Sequence, residues 1–143
     1  MSDTRRLELR LESKIDSVDA AELMVLGLAR EVGFGQDDLD RLSMAVRESM
    51  VNAIAHGNGY SRDKAVHFTV EASPKGVEIE VRDEGAGFNP DDVPDPTVPE
   101  NLLKVSGRGI LLMRALVDEF SIERAPQGGM RVRLAKRPST GAR

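Results

Sequence analysis

Hydrophobic and polar residues alternate along several parts of the chain, with the two-residue period of half-buried β-strands. A turn at Pro74-Lys75-Gly76 separates the second and third of these segments, which predicts an antiparallel hairpin. A second turn, at Pro126-Gln127-Gly128-Gly129, separates the last two. The pattern predicts strands at residues 7–12, 66–71, 77–81, 120–123 and 130–134.

Other segments carry apolar residues at the three- and four-residue spacing of amphipathic helices. The first helix is expected to begin at Asp16 or Ser17, either of which supplies an N-cap oxygen, and to stop at Gly33. The second begins near residues 36–38 and runs to about Ala55, where His56-Gly57-Asn58-Gly59 is a helix breaker. A third helix follows Gly109. The predicted buried stripe of the second helix is Leu39, Leu42, Val46, Met50, Ala53 and Ile54.

A long connection precedes the third helix. Residues 89–105 contain four of the seven prolines and show little periodicity, which is typical of a lid or a disordered loop. The predicted order is therefore strand, two helices, two strands, lid, helix and two strands. With 143 residues, we expect one α/β domain at 1–135 and a flexible polar tail at 136–143.

Composition narrows the class of protein. Hydrophobic residues make up 40% and charged residues 31%, with a net charge of −4, which suits a globular domain and disfavours nonspecific nucleic-acid binding. The absence of cysteine excludes disulfides, thiolate catalysis and cysteine-ligated zinc. No apolar run is long enough to cross a membrane. We expect a cytoplasmic protein with no direct nucleic-acid or membrane contact.

Asp83-Glu84-Gly85-Ala86-Gly87-Phe88 follows the third predicted strand, which places Asp83 at the mouth of that strand. The glycines after the carboxylate permit positive φ angles and let a flat ring approach the main chain. An isolated Asp-x-Gly-x-Gly segment is also compatible with an ordinary turn. Its interpretation therefore depends on other residues.

Glu48 and Asn52 are four residues apart in the second helix and share one face. One interpretation is that Glu48 and Asn52 form a solvated polar stripe, in which Arg41 or Arg47 pairs with the Glu48 carboxylate. Alternatively, the Asn52 carbonyl is a hard ligand for Mg²⁺ and Glu48 accepts a proton from a nucleophilic hydroxyl. For His56, one turn further, we predict a structural cap of the helix C-terminus.

Gly107-Arg108-Gly109 opens the third helix. The unpaired N–H groups and the positive dipole end of a helix N-terminus favour a bound anion, although the two glycines are also compatible with a simple lid hinge. Neither the Rossmann fingerprint nor the Walker A sequence is present.

Three segments, in this order, resemble the sequence boxes of the GHKL ATPases, the superfamily of gyrase, histidine kinases and MutL. Residues 44–56 resemble the N box, Asp83 to Phe88 the G1 box and residues 106–119 the G2 box. The short chain, the missing phosphoacceptor helix and the sequence of residues 112–119 are most similar to the anti-sigma factor serine kinases of the RsbW and SpoIIAB type. The resemblance implies the Bergerat fold, an α/β sandwich with a mixed, mostly antiparallel sheet, helices on one face and a flexible ATP lid.

The resemblance also implies an adenine end of the site. Asp83 would accept a hydrogen bond from the adenine amino group, which ATP offers and GTP does not. Gly85 and Gly87 would let the ring settle close to the backbone, and Phe88 would complete this nucleotide-binding segment.

At the phosphate end, the resemblance implies that Asn52 holds Mg²⁺ and that Glu48 is the general base for an attacking serine. Gly107 and Gly109 would frame the lid and the phosphates. Arg108 would stabilise charge on the γ-phosphate, or else remain a solvated charge of the lid.

The function implied is an anti-sigma factor and ATP-dependent serine kinase that sequesters a sigma factor and phosphorylates an anti-sigma factor antagonist, acting as a homodimer. One alternative is an ATP-binding regulatory module of the same fold without significant kinase activity. Another is an interaction domain that binds no nucleotide.

Overall fold

The chain folds into a five-stranded sheet with helices on one face. The computed structural model describes residues 4–87 and 107–139, without the side chains at 107 and 108. The elements are β1 (Arg5–Glu12), α1 (Asp16–Glu31), α2 (Gln36–Val51), a π-helical turn (Asn52–Gly57), β2 (Ala65–Ser73), β3 (Gly76–Arg82), α3 (Gly107–Leu116), β4 (Glu119–Arg124) and β5 (Met130–Lys136). This order confirms the predicted strands and helices. The proposed lid at 89–105 lies outside the described residues.

The sheet has the strand order β1-β2-β3-β5-β4. A mixed, mostly antiparallel sheet was expected, and every pairing among the described strands is antiparallel. The register places Val70 opposite Ile79, and Ile79 opposite Leu134. Because side chains alternate between the two faces of a strand, this register gathers the apolar residues on one face.

The helices α1 and α2 cover that apolar face. The predicted stripe of the second helix is buried in full, and Met113 of α3 joins the same core. The opposite face of the sheet is polar, with surface ion pairs such as Arg133 with Glu80. None of the helices described is long and apolar enough to span a membrane.

The ordered chain extends beyond the predicted domain boundary at residue 135. Lys136 is the last residue of β5 and is buried, and its ammonium lies 3.4 Å from Asp38 at the start of α2. Ser139 donates hydrogen bonds to the same carboxylate, from its amide and from its hydroxyl, both at 2.8 Å. Residues 136–139 are therefore held against the domain, in contrast to the flexible tail expected from their composition. Residues 140–143 lie outside the described part.

Candidate functional site

A cavity opens between the C-terminal end of α2 and the adjoining ends of β3 and β5. Its wall is mostly apolar and carries a few polar side chains, which is typical of a small-molecule site. It is lined by Ser49, Asn52, Ala53, His56, Gly57, Val81, Asp83, Ala86, Gly87, Ile110, Ile122, Met130 and Val132. Members of all three sequence segments, represented by Asn52, Asp83 and Ile110, thus meet in one cavity.

Asp83 is the best-fixed polar group of this cavity. Its side chain is buried at 5% exposure, and Oδ1 accepts hydrogen bonds from the amides of Gly85 at 2.9 Å and Met130 at 3.1 Å. Within the described residues, Oδ2 receives no hydrogen bond. One oxygen therefore fixes the carboxylate, while the other is an acceptor left for a ligand.

The electrostatics of Asp83 follow from the same contacts. Burial raises the pKa of its carboxyl group above the ordinary value, while the hydrogen bonds from Gly85 and Met130 act in the opposite direction. A carboxylate that has lost water on one side, and keeps one unpaired oxygen, gains by accepting a hydrogen bond from an amino group of a neutral ring.

Three glycines surround Asp83 so closely that a Cβ on any of them would overlap a neighbour. A Cβ on Gly57 would overlap the Asp83 carboxylate, and one on Gly85 would overlap the carbonyl of Gly57. Gly129, at a φ of +79°, lies against the Asp83 backbone in the same way. Sequence reasoning identified Gly85 but treated Gly57 as a helix breaker and Gly129 as a turn residue. Their position next to the G1 aspartate depends on the fold.

Asn52 carries an orphaned polar atom. Its Oδ1 is buried and has no hydrogen-bond partner within the described residues, which costs about 1–3 kcal/mol when nothing binds it. Asn52 lines the cavity, and a hard carbonyl oxygen fits Mg²⁺, which takes one or two protein ligands and fills its other positions with water and phosphate oxygens. The described residues contain no cluster of three or more His, Asp or Glu side chains that would hold a metal alone, so such an ion would depend on a ligand's phosphates.

Glu48 lies one helical turn before Asn52, whose amide donates to the Glu48 carbonyl. Its side chain is half-buried, and it forms no ion pair or hydrogen bond within the described residues. Arg47, one of its two predicted partners, instead forms ion pairs with two carboxylates of α1, at 2.8 and 2.9 Å. Glu48 thus forms neither of its predicted ion pairs within the described residues, and it is not among the residues that line the cavity.

At Asn52 the helix changes from α to π geometry, an arrangement often found at functional sites. The predicted cap at His56 is not observed: its imidazole is exposed at the cavity and forms no hydrogen bond with the described helix carbonyls. Backbone bonds close the helix instead, from the amide of Asn58 to Ala53 at 2.8 Å and from Tyr60 to Ile54 at 2.9 Å.

Comparison with known proteins agrees with this geometry. Residues 11–136 match the family model of the histidine kinase-like ATPase domain. The chain belongs to this family. It is 25% identical over 142 residues to the serine-protein kinase RsbW of Oceanobacillus iheyensis, covering 95% of this chain and 89% of that protein. It is 31% identical over 120 residues to the anti-sigma F factor of Bacillus licheniformis, covering 81% of each.

The crystal structure of the RsbU and RsbW domains of a Mycobacterium tuberculosis protein has the same fold. It superposes with a TM-score of 0.65 at 23% identity, over 97% of this chain and 34% of that chain. The present chain therefore spans about a third of that longer protein. This likeness confirms the expected GHKL architecture of the ATPase domain.

The remaining predicted residues of this histidine kinase-like ATPase domain lie near the start of α3. Gly107 begins that helix, Gly109 is buried in its first turn, and Ile110 reaches the cavity. The Arg108 side chain and Phe88 fall outside the described part of the chain, so their roles stay predictions. Gly87, at a φ of +79°, lines the cavity.

Proposed function

We propose that this protein is an anti-sigma factor and an ATP-dependent serine kinase, which sequesters a sigma factor and phosphorylates an anti-sigma factor antagonist. The observation that carries the proposal is that Asn52, with its orphaned Oδ1, and Asp83, with its half-satisfied carboxylate, line one cavity. The names of the relatives, serine-protein kinase RsbW and anti-sigma F factor, support the choice of partners.

In this proposal Asp83 selects the base. Its Oδ2 accepts a hydrogen bond from the adenine amino group, while Gly57 and Gly85 allow the two backbones beside this carboxylate to approach each other closely. The apolar side chains of Val81 and Ile122 share one face of the sheet in the cavity wall and would contact one side of the ring. A guanine presents a carbonyl oxygen at the same place, which repels the carboxylate.

At the phosphate end, Asn52 would hold Mg²⁺, which would neutralise charge on the phosphates. Glu48 removes the proton from the serine hydroxyl of the antagonist. The serine oxygen then forms its bond to the γ-phosphorus as the bond to the departing ADP breaks, so that phosphoserine and ADP are the products. A carboxylate without a competing ion pair is suited to this role.

The experiment that tests the kinase is the substitution Glu48→Gln, which removes the base and keeps the shape of the side chain. Phosphoserine on the antagonist is measured by mass spectrometry, and ATP binding by calorimetry. We expect transfer to fall at least about a hundredfold with ATP affinity changed less than about threefold. The matched control, Asp40→Asn, alters an exposed carboxylate of the same helix and should change neither.

The outcomes separate the alternatives. If the unaltered protein binds ATP and regulates its partner without forming phosphoserine, the regulatory module without kinase activity is correct. If no ATP binding is measured in the presence of Mg²⁺, the proposed site is wrong and a plain interaction domain remains.

We also propose a homodimer in the cytoplasm, where a sigma factor is available. The strand β1 forms one edge of the sheet and leaves Leu7 exposed, which suits pairing with a second copy. Sedimentation equilibrium of the purified protein measures its mass directly.

A further inference from the structure

Asn58 is a buried polar residue outside the cavity wall, and both polar atoms of its side chain are engaged. It is 3% exposed. Its Oδ1 accepts a hydrogen bond from the amide of Glu84 at 2.7 Å. Its Nδ2 donates to the carbonyl of Ala65 and to the hydroxyl of Ser13, both at 2.9 Å. The Asn58 side chain thus links its own segment to three others, at Ser13, Ala65 and Glu84.

The bond to Glu84 is the one that concerns the site. Glu84 stands between Asp83, which carries the free oxygen, and Gly85, whose amide holds the other oxygen. Asn58 directly follows Gly57, and Gly57 packs against the Asp83 carboxylate. Asn58 therefore sets the distance between the end of the π-helical turn and the exit of β3, the two backbones that enclose this carboxylate.

The side chain of Glu84 fixes the same peptide from another direction. Its Oε1 accepts a hydrogen bond from the amide of Ala65 at 3.1 Å, and its Oε2 lies 2.5 Å from Nε2 of His67. The bond with His67 and that with the Ala65 amide lower the pKa of Glu84. Glu84 is thus held by both its main-chain amide and its side chain. Among the described hydrogen bonds, the bond from the Glu84 amide to Asn58 is the only one that joins this residue to the segment following the π-helical turn.

We propose that Asn58 is a positioning residue for base selection, which aligns the free oxygen of Asp83 with a six-amino purine. This inference rests on the proposed ATP site. Loss of the Asn58 side chain lets the Asp83–Gly85 backbone shift relative to Gly57, and an oriented hydrogen bond weakens steeply when its angle departs from linearity. The expected consequence is loss of selectivity as well as loss of affinity.

The test compares two nucleotides with Mg²⁺: ATP and purine riboside triphosphate, which lacks only the six-amino group. We expect the unaltered protein to prefer ATP by at least about tenfold, the range of one hydrogen bond to a charged group. In Asn58→Ala this preference should fall to about threefold or less. A general loss of folded protein lowers both affinities equally and leaves their ratio unchanged, so the ratio reports positioning rather than stability.

Ser13→Ala is the matched control. It removes a hydrogen-bond partner of the Asn58 amide and leaves the bond from the Glu84 amide to Oδ1 in place. Its preference for ATP should equal that of the unaltered protein, even if it is less stable. If Asn58→Ala does not fold, Asn58→Ser, whose side chain is too short to span the same contacts, carries the same expectation.

Two failures are distinguishable. If the unaltered protein does not distinguish the two nucleotides, the proposed adenine contact of Asp83 is wrong. If it does, and the folded Asn58 variant retains the full preference, Asp83 selects the base without Asn58 and the present inference is overturned.

Discussion

The buried ion pair between Lys136 and Asp38 gives a prediction whose size follows from the structure. The two side chains are 6% and 2% exposed, and the ammonium lies 3.4 Å from the carboxylate. Removing one partner of a buried pair costs about 3–5 kcal/mol, because the other charge stays buried. In Lys136→Met, Asp38 keeps its two hydrogen bonds from Ser139, so we expect the lower end, about 3 kcal/mol. At about 2 cal/mol/K per residue for the unfolding entropy, this loss lowers the melting temperature by about 10 °C.

The same pair predicts a pH dependence. Burial acts to raise the pKa of Asp38, but the hydrogen bonds from Ser139 and the charge of Lys136 outweigh it, so the pKa lies below the ordinary value of 3.8. A carboxyl group with a lowered pKa stabilises the folded state above its unfolded pKa, and this stabilisation is lost as the pH falls through the folded pKa. The difference between the unaltered protein and Lys136→Met should therefore be complete at pH 7 and narrow below pH 3.8.

Urea and thermal unfolding of Lys136→Met, Asp38→Asn and the double variant measure these effects. The control is Arg137→Met, which removes the neighbouring cation, 65% exposed and 3.9 Å from its partner; it should cost less than about 1 kcal/mol. A cost for Lys136→Met no larger than that of the control, or single costs that simply add in the double variant, would refute the reasoning.

Two predictions concern the glycine-lined carboxylate. Asp83→Asn should leave the nucleotide-free protein as stable at pH 7 as the unaltered chain, or more stable, because a carboxyl group with a raised pKa destabilises the folded state when ionised. ATP binding should be lost, since an amide N–H replaces the acceptor. Melting without nucleotide and calorimetry with ATP check both parts, and a less stable variant that still binds ATP contradicts them. Gly57→Ala should lower ATP affinity at least about tenfold, because its Cβ overlaps the Asp83 carboxylate. Its control is Gly27→Ala in α1, where a Cβ meets nothing within 4 Å; equal ATP affinities in the two alanine variants would contradict the steric argument.

The fold could be predicted from the sequence where a strand or helix buries one face, because the buried face fixes the register of that element. The alternation at 66–71 and 77–81 predicted the hairpin of β2 and β3, since a slip of one residue would turn every apolar side chain to solvent. The helical stripe of α2 was predictable for the same reason. Asn52 and Asp83 were found because a polar group in an apolar helix and a carboxylate before spaced glycines are local signals.

The rest of the site could not be predicted because it depends on contacts between distant positions. Asp83 accepts a hydrogen bond from Met130, 47 positions away, and Glu84 donates to Asn58, 26 positions away. In sequence, Asn58 is one residue of a helix breaker. The residues from Lys136 onward were expected to form a flexible tail for the same reason. Their partner Asp38 is distant in sequence, 101 positions before Ser139.

Buried polar side chains in the cavity wall differ from the other described ones in how completely they are hydrogen-bonded. Among the described buried polar side chains, those outside the cavity wall all have partners: Ser13, Ser17, Asp38, Asn58 and Lys136. The buried side-chain atom without a partner in the described part of the chain is Asn52 Oδ1, and Asn52 belongs to the cavity wall. A ligand that satisfies this atom binds the folded state and not the unfolded chain. Bound at a hundred times its Kd, such a ligand adds about 2.7 kcal/mol to stability, which is comparable with the cost of about 1–3 kcal/mol for one unpaired buried group.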